Sequence, residues 1–248
     1  MASISETGHA KNVSNFETLI SFITSYGATY NPSRESIKLP ALNTILTNSK
    51  ASLNALDEVH PTYSNAVAAR EDAFKPFSKL ITRVNNALKA TDTTTQVDES
   101  AQTIVRKLQG KRATPKISEE DMALLKADGK EVNQISTAQM SYDSRLENFN
   151  KLIMLLSSVP EYKPNEEELK ISTLTALYND LLAKNAAVLA ATVPLSNARI
   201  SRNDVLYKEK TGLVDTAFDV KVYIKSLFGA SSPQYKQISK LAFKALNF

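Results

Sequence analysis

The residues able to do chemistry in this chain are few. Its two histidines are His9 and His60, and neither has a partner at the spacing of a metal site or a nucleophile–base pair. His9 falls in the expected N-terminal tail, and His60, beside Pro61, reads as an exposed helix end. No cysteine is present, which removes thiolate nucleophiles, disulfides and zinc–cysteine sites together. The six glycines are scattered and form neither GxxxxGK nor GxGxxG, so no phosphate-cradling loop is written here. A di-iron bundle would need Glu-x-x-His pairs, and there are none.

The carboxylates that stand out come as copies, Glu35 with Glu167 and Asp72 with Asp204. A catalytic acid–base pair needs two carboxylates in different environments facing one substrate. Copies in equivalent settings point instead to structure. Glu35 with Lys38, and Glu167 with Lys170, are spaced i, i+3 and suit surface ion pairs. The expectation is a protein that is not an enzyme and uses no metal or cofactor.

One motif recurs whole: Ser-Asn-Ala-x-x-x-Arg-x-Asp, as Ser64, Asn65, Ala66, Arg70 and Asp72, and again as Ser196, Asn197, Ala198, Arg202 and Asp204. Its structural reading puts the serine or asparagine at a cap near a proline break. The arginine then lies on a core-facing stripe, its head meeting a carboxylate or helix-end carbonyls. Its functional reading is an anion or partner site occurring twice. The notable basic cluster is Arg106, Lys107, Lys111, Arg112 and Lys116. Cations suit a helix C-terminus, and no aromatic residue interleaves with these to stack bases.

Whatever these residues do, an internal repeat must position them. Val13, Phe16, Ile20 and Ile23 are echoed by Leu146, Phe149, Ile153 and Leu156 at a constant offset of 133 (146 − 13 and 156 − 23). Tyr30 and Pro32 then match Tyr162 and Pro164 at 132 (162 − 30), and the recurring motif keeps that register. The best match joins 13–74 with 146–206; beyond it identities fade while apolar patterning continues. Shared spacing of three and four predicts helix almost throughout. The expected fold is all-α, with two tandem antiparallel helical bundles: a first module over 1–110, a linker over 111–117 and a second module over 118–248.

In detail, helices are expected over 13–26, 33–59, 61–88 and 97–109. A long one should run from an N-cap at Ser118 to Ser158, followed by 165–192, 194–228 and a last helix from Pro233 to about Phe248. The two breaks fall at Pro61 and Pro194, because an interior proline removes a donor and crowds the preceding turn.

Composition bounds the rest. A chain of 248 residues, 42% hydrophobic and 23% charged, can build its own core. A net charge of +4 is mild for a dedicated DNA binder. The N-terminus lacks a basic stretch followed by an apolar run, and no apolar stretch reaches the ~20 residues of a membrane span. A cytoplasmic location is therefore expected. The leading functional expectation is a structural or interaction protein whose partners are other proteins or itself, self-assembling through its modules. An accessory nucleic-acid binder using 106–116 comes second. A long-helix membrane-active effector comes third.

Overall fold

The computed structural model describes residues 8–111, 118, 124 and 140–245. Among them every regular element is helical and none is a strand. In chain order the α-helices are α1 (His9–Ser25), α2 (Leu39–Phe74), α3 (Phe77–Lys89), α4 (Thr95–Gln109), α5 (Tyr142–Ser157), α6 (Ile171–Tyr207), α7 (Leu213–Phe228) and α8 (Pro233–Ser239). Short 3-10 turns at Glu35–Ile37 and Glu167–Leu169 precede α2 and α6.

Local chemistry sets several of the ends. Thr94 and Ser141 accept hydrogen bonds from the Val97 and Ser144 amides at the starts of α4 and α5, satisfying donors that the first turn leaves orphaned. Ser232 does the same for α8, with Pro233 as the first helical residue. Gly110 ends α4 with φ of 66°, a left-handed conformation that glycine adopts without a side-chain clash.

The helix expected to run from Ser118 to Ser158 is interrupted, because Met140 and Ser141 are not helical and α5 starts at Tyr142. Most of 118–139, Asp121 of the expected cap included, lies outside the described residues, as do Phe248 and most of the 111–117 linker. The last helix stops at Ser239, well before the expected end.

Both proline breaks are corrected. Pro61 lies inside α2 and Pro194 inside α6. Each proline is exposed, and so are Asp57 and Ala190 four residues earlier. The carbonyls that lose their intrahelical donor therefore lie on the wet side, where water can take the bond. The breaks fall later, at Lys75–Pro76 and at 208–212. In the second of these Lys210 has φ of 65°, and a Cβ on Gly212 would stand 2.6 Å from the Lys208 backbone nitrogen. A side chain does not fit there.

The residues pack as two compact units whose boundaries do not follow chain order. One comprises 1–64 with 191–248, the other 65–190. The tandem expectation of 1–110 and 118–248 draws the chain differently. Its premise was that short connections keep each stretch folded on itself, whereas α2 and α6 each begin in one unit and end in the other.

In the first unit α1 and the Glu35–Ile37 turn pack on α7, which also carries α8. Its core joins Val13, Phe16, Ile20, Ile23, Tyr30 and Leu42 to Leu206, Leu213, Ala217, Val220, Ile224 and Ile238. In the second unit α4 packs between α3 and α5, and the Glu167–Leu169 turn meets α3. Its core joins Leu146, Phe149, Ile153, Leu156, Tyr162 and Leu174 to Phe74, Phe77, Ile81, Val84 and Leu88.

Candidate functional site

The recurring arginines lie at two corners, each built by the start of one helix against the end of a long one. In the second unit, Arg70 near the end of α2 donates from Nη1 to Asn185 Oδ1 at 2.9 Å. Its guanidinium carbon lies 3.9 Å from the centroid of the Tyr142 ring at the start of α5. Asn185 in turn donates to Asp143 at 2.7 Å, so one asparagine links the arginine to a carboxylate. One turn into α5, Arg145 stacks its guanidinium over Phe74 and Phe77, 4.7 and 5.0 Å from their centroids. Burial pulls the Arg145 guanidinium below its ordinary range, with Tyr142 opposing. The Nε atoms of Arg70 and Arg145 are buried without an acceptor, so ring faces stand in for part of what a carboxylate would supply.

The matching corner of the first unit uses different residues. His9 and Asn12, at 133 before Tyr142 and Arg145 (142 − 9 and 145 − 12), open α1. His9 Nδ1 and the Tyr207 hydroxyl lie 2.7 Å apart. Asn12 reaches the same hydroxyl at 3.3 Å and the Lys244 carbonyl at 2.9 Å, while the Lys244 amide donates back to Asn12 Oδ1. Asn15 holds the Ala242 carbonyl at 2.7 Å. These asparagines pin the C-terminal segment to α1. Arg202 is buried and donates from Nε and Nη2 to Asn203 Oδ1. Burial lowers the His9 imidazole below its ordinary value, and the Arg202 charge lowers it further. His9 is therefore a helix-start residue within the fold, not part of a tail.

Of the recurring motif, then, the arginines do sit against packed side chains, but their partners are amides and rings, where carboxylates or carbonyls were expected. Asp72 pairs with Lys75, three residues on, and Asp204 contributes its backbone carbonyl to Lys208. Asn65 and Asn197 are exposed and cap no helix, because α2 and α6 run straight through them. Ser64 Oγ lies 3.4 Å from His60 Nδ1, and His60 is an exposed mid-helix residue of α2 rather than a helix end.

The basic cluster is dispersed over a helix end and the chain beyond it. Arg106 and Lys107 occupy the last turn of α4, where their charge suits the C-terminal carbonyls. Lys111 follows the Gly110 cap and is exposed. Arg112 and Lys116 lie outside the described residues.

Two details recur where the sequence repeats. Tyr30 donates its hydroxyl to the Ile37 carbonyl at 2.6 Å, and Tyr162 donates to the Leu169 carbonyl at 2.9 Å. Each is a buried bond that ties the start of a long helix to the loop before it. Lys38 pairs with Glu35, and Lys170 with Glu167, in the expected i, i+3 geometry. Among the described residues no group of three or more histidine or carboxylate side chains is placed to hold a metal ion, and no helix is long and apolar enough to cross a membrane.

Sequence reasoning missed the outward face of α6, where Leu182, Leu189, Val193 and Ile200 are exposed. The signal in the sequence is a run without charge from Asn185 to Ala198, too short to span a membrane. No family model, curated protein or solved structure matches the chain.

Proposed function

We propose that this chain is a non-catalytic structural or interaction protein, built by duplication of one helical module and assembling with copies of itself. The observation that carries this reading is the composition of the compact units. Each joins the first part of one repeat to the second part of the other, 1–64 with 191–248 and 65–190 as a continuous stretch across the repeat junction.

A module that completes itself with the half of another copy already has copy-to-copy recognition in its fold. A lone module would satisfy the same surfaces by exchange between two chains, the familiar route by which identical elements give dimers. Support for duplication comes from the matching details: Tyr30 and Tyr162 in their carbonyl bonds, the paired 3-10 turns, and Phe16 and Phe149 in the two cores. Both recurring corners direct most of their polar groups at neighbouring protein atoms, through Arg70, Asn185, Asn12 and Arg202, which is what a packing role asks of them.

The test is the mass of the full chain in solution over a concentration series, by light scattering or sedimentation, with negative-stain imaging. Discrete oligomers or filaments are the expected result. A monomer at every concentration would remove the self-assembly reading.

A further inference from the structure

The two units surround their paired tyrosines differently. In the first, the buried ring of Tyr30 meets the ring of Tyr223, on α7, edge to face with centroids 5.3 Å apart. Tyr30 has its counterpart in Tyr162, 132 residues on (162 − 30). Tyr223 has its counterpart in Ala87, at the offset of 136 that also relates Val84 of α3 to Val220 of α7 (223 − 87 and 220 − 84). The second unit therefore keeps the tyrosine of the loop and lacks the tyrosine of the helix. Tyr162 has no ring partner among the described residues.

Beside Tyr162 lies an open cleft of about 590 Å³. Asn86, Ala87 and Thr91 of α3 line one side, and Tyr162, Asn165 and Glu166 the other. A second loss of bulk widens it, since Thr91 stands where α7 has Leu227 (227 − 91 again gives 136). All of these residues belong to the second unit. Sites for small molecules run to roughly 300–1,000 Å³, so the cleft has room for a ring and a substituent.

Its polar groups say what kind of ring. Asn86, Asn165 and Glu166 make no side-chain hydrogen bond or ion pair among the described residues. The Glu166 carboxylate adds to burial in raising the Tyr162 phenol, which places that acceptor near the ring. A carboxylate and two amides at the edge of an aromatic wall suit a ring that brings a hydroxyl to donate. Charge at the rim is balanced. Arg83 and Lys163 line the cleft, Arg83 is paired with Glu168, and Lys163 stands beside Glu166 in number. That balance suits a neutral ligand.

We propose that this cleft binds a small neutral molecule carrying a phenol ring, which seats itself between Ala87 and Tyr162 as the Tyr223 side chain seats itself against Tyr30. The site is separate from self-assembly and stands whichever way that reading falls.

The probe is 4-methylphenol, the tyrosine side chain without its backbone, titrated into the full chain and followed by protein NMR. Amide shifts over 86–91 and 162–166 should move together and saturate, with Kd on the order of 1 mM for so small a ligand. The saturated 4-methylcyclohexanol should bind about 5-fold more weakly, since it has no aromatic edge or face. Ala87→Tyr gives this unit the ring that the other carries. It should abolish binding while the melting temperature holds or rises. Thr91→Leu, a smaller change taken from the same comparison, should weaken binding several-fold. Tyr223→Ala, in a chain shown by circular dichroism to be folded, should open a second site with new shifts around Tyr30. A wild-type chain in which these amides do not respond would overturn the proposal without any substitution. So would binding that survives Ala87→Tyr, or a marked fall in the melting temperature of that variant, which would mean that no ring fits. A folded Tyr223→Ala chain that gains no site would overturn the seating by analogy with Tyr223.

Discussion

Arg34 Nη1 lies 2.7 Å from Asp219 Oδ2, bracing the segment before the Glu35–Ile37 turn against α7. The second unit has the corresponding brace with its signs exchanged: Glu168 on the turn meets Arg83 on α3. The buried stripes of α3 and α7 align at one offset, Phe77, Ile81, Val84 and Leu88 with Leu213, Ala217, Val220 and Ile224 (213 − 77 and 224 − 88 both give 136). Under it Arg83 and Asp219 are the same helical position. Were the two turns to change partners, the segment carrying Arg34 would face the helix that carries Arg83, and the turn carrying Glu168 would face the helix that carries Asp219, like charges in place of opposite ones. The charges suit the same grouping of segments as the two cores, 1–64 with 191–248 and 65–190 by itself.

That argument has a measurable size. Both braces are exposed, so each should contribute no more than about 1 kcal/mol. Asp219→Arg should lower unfolding stability by about that amount, and adding Arg34→Asp should recover most of it. A double-mutant cycle by denaturant melting reads the coupling. Additive effects of the two changes would mean that the contact carries no energy.

The composition of the two cores predicts where damage spreads. Phe16 and Phe149 are fully buried, and truncating either to alanine should cost roughly 3–5 kcal/mol. Phe16 shares its core with Leu213, Val220 and Ile224, not with α3. Hydrogen exchange in Phe16→Ala should therefore quicken in α1, α7 and α8 while α3 and α4 keep their protection. Phe149→Ala should do the reverse. Loss of protection in α3 and α4 on truncating Phe16 would point to modules that follow chain order after all.

The paired tyrosines give an alkaline limit. Burial pushes the Tyr162 phenol up to about 12, with Glu166 adding to it, and burial with Tyr223 also raises Tyr30. An acid whose folded pKa lies above its unfolded value near 10 keeps its full contribution below pH 10. That contribution is lost as pH climbs from 10 toward 12, because the unfolded chain releases the proton first. Stability should fall over that window, and the fall should be shallower in Tyr30→Phe/Tyr162→Phe. At neutral pH each phenylalanine should cost about 1–2 kcal/mol, since a buried carbonyl loses its donor. Urea melts at pH 8 and across pH 10–12 check both halves of the statement.

Much of this fold was legible because helical cores write themselves as spacing. Phe16, Ile20 and Ile23, and their counterparts Phe149, Ile153 and Leu156, are buried where the three–four pattern put them. The glycine stop at Gly110 and the Ser232–Pro233 start came from local chemistry that no tertiary contact overrides. Pro61 and Pro194 misled because proline's cost depends on where the freed carbonyl points, which is a fact of burial. The pairing of halves was hidden for a different reason. The stripe on α1 specifies an apolar partner and does not say whether α3 or α7 supplies it. The arginine corners were half readable: the sequence showed that Arg70 and Arg202 needed partners, and only the fold brought Tyr142 and Asn185 to one of them.

His9 gives the first unit an acid sensitivity that the second lacks at the matching position, where Tyr142 stands. Its imidazole is lowered below the ordinary 6.5 by burial first and by Arg202 second, so the folded chain favours the neutral ring. A base held below its unfolded pKa contributes fully above that value. Its contribution is lost as pH falls through 6.5 toward the folded pKa, because the unfolded chain takes up the proton more readily. Protonation also brings a second positive charge toward Arg202. Below pH 6.5, hydrogen exchange in α1 and in the 240–245 segment, which Asn12 and Asn15 pin to α1, should quicken before that in α5. His9→Gln keeps a polar side chain near the Tyr207 hydroxyl and removes the titration. In that variant the two units should respond alike to mild acid, and an undiminished difference would place the sensitivity somewhere other than His9.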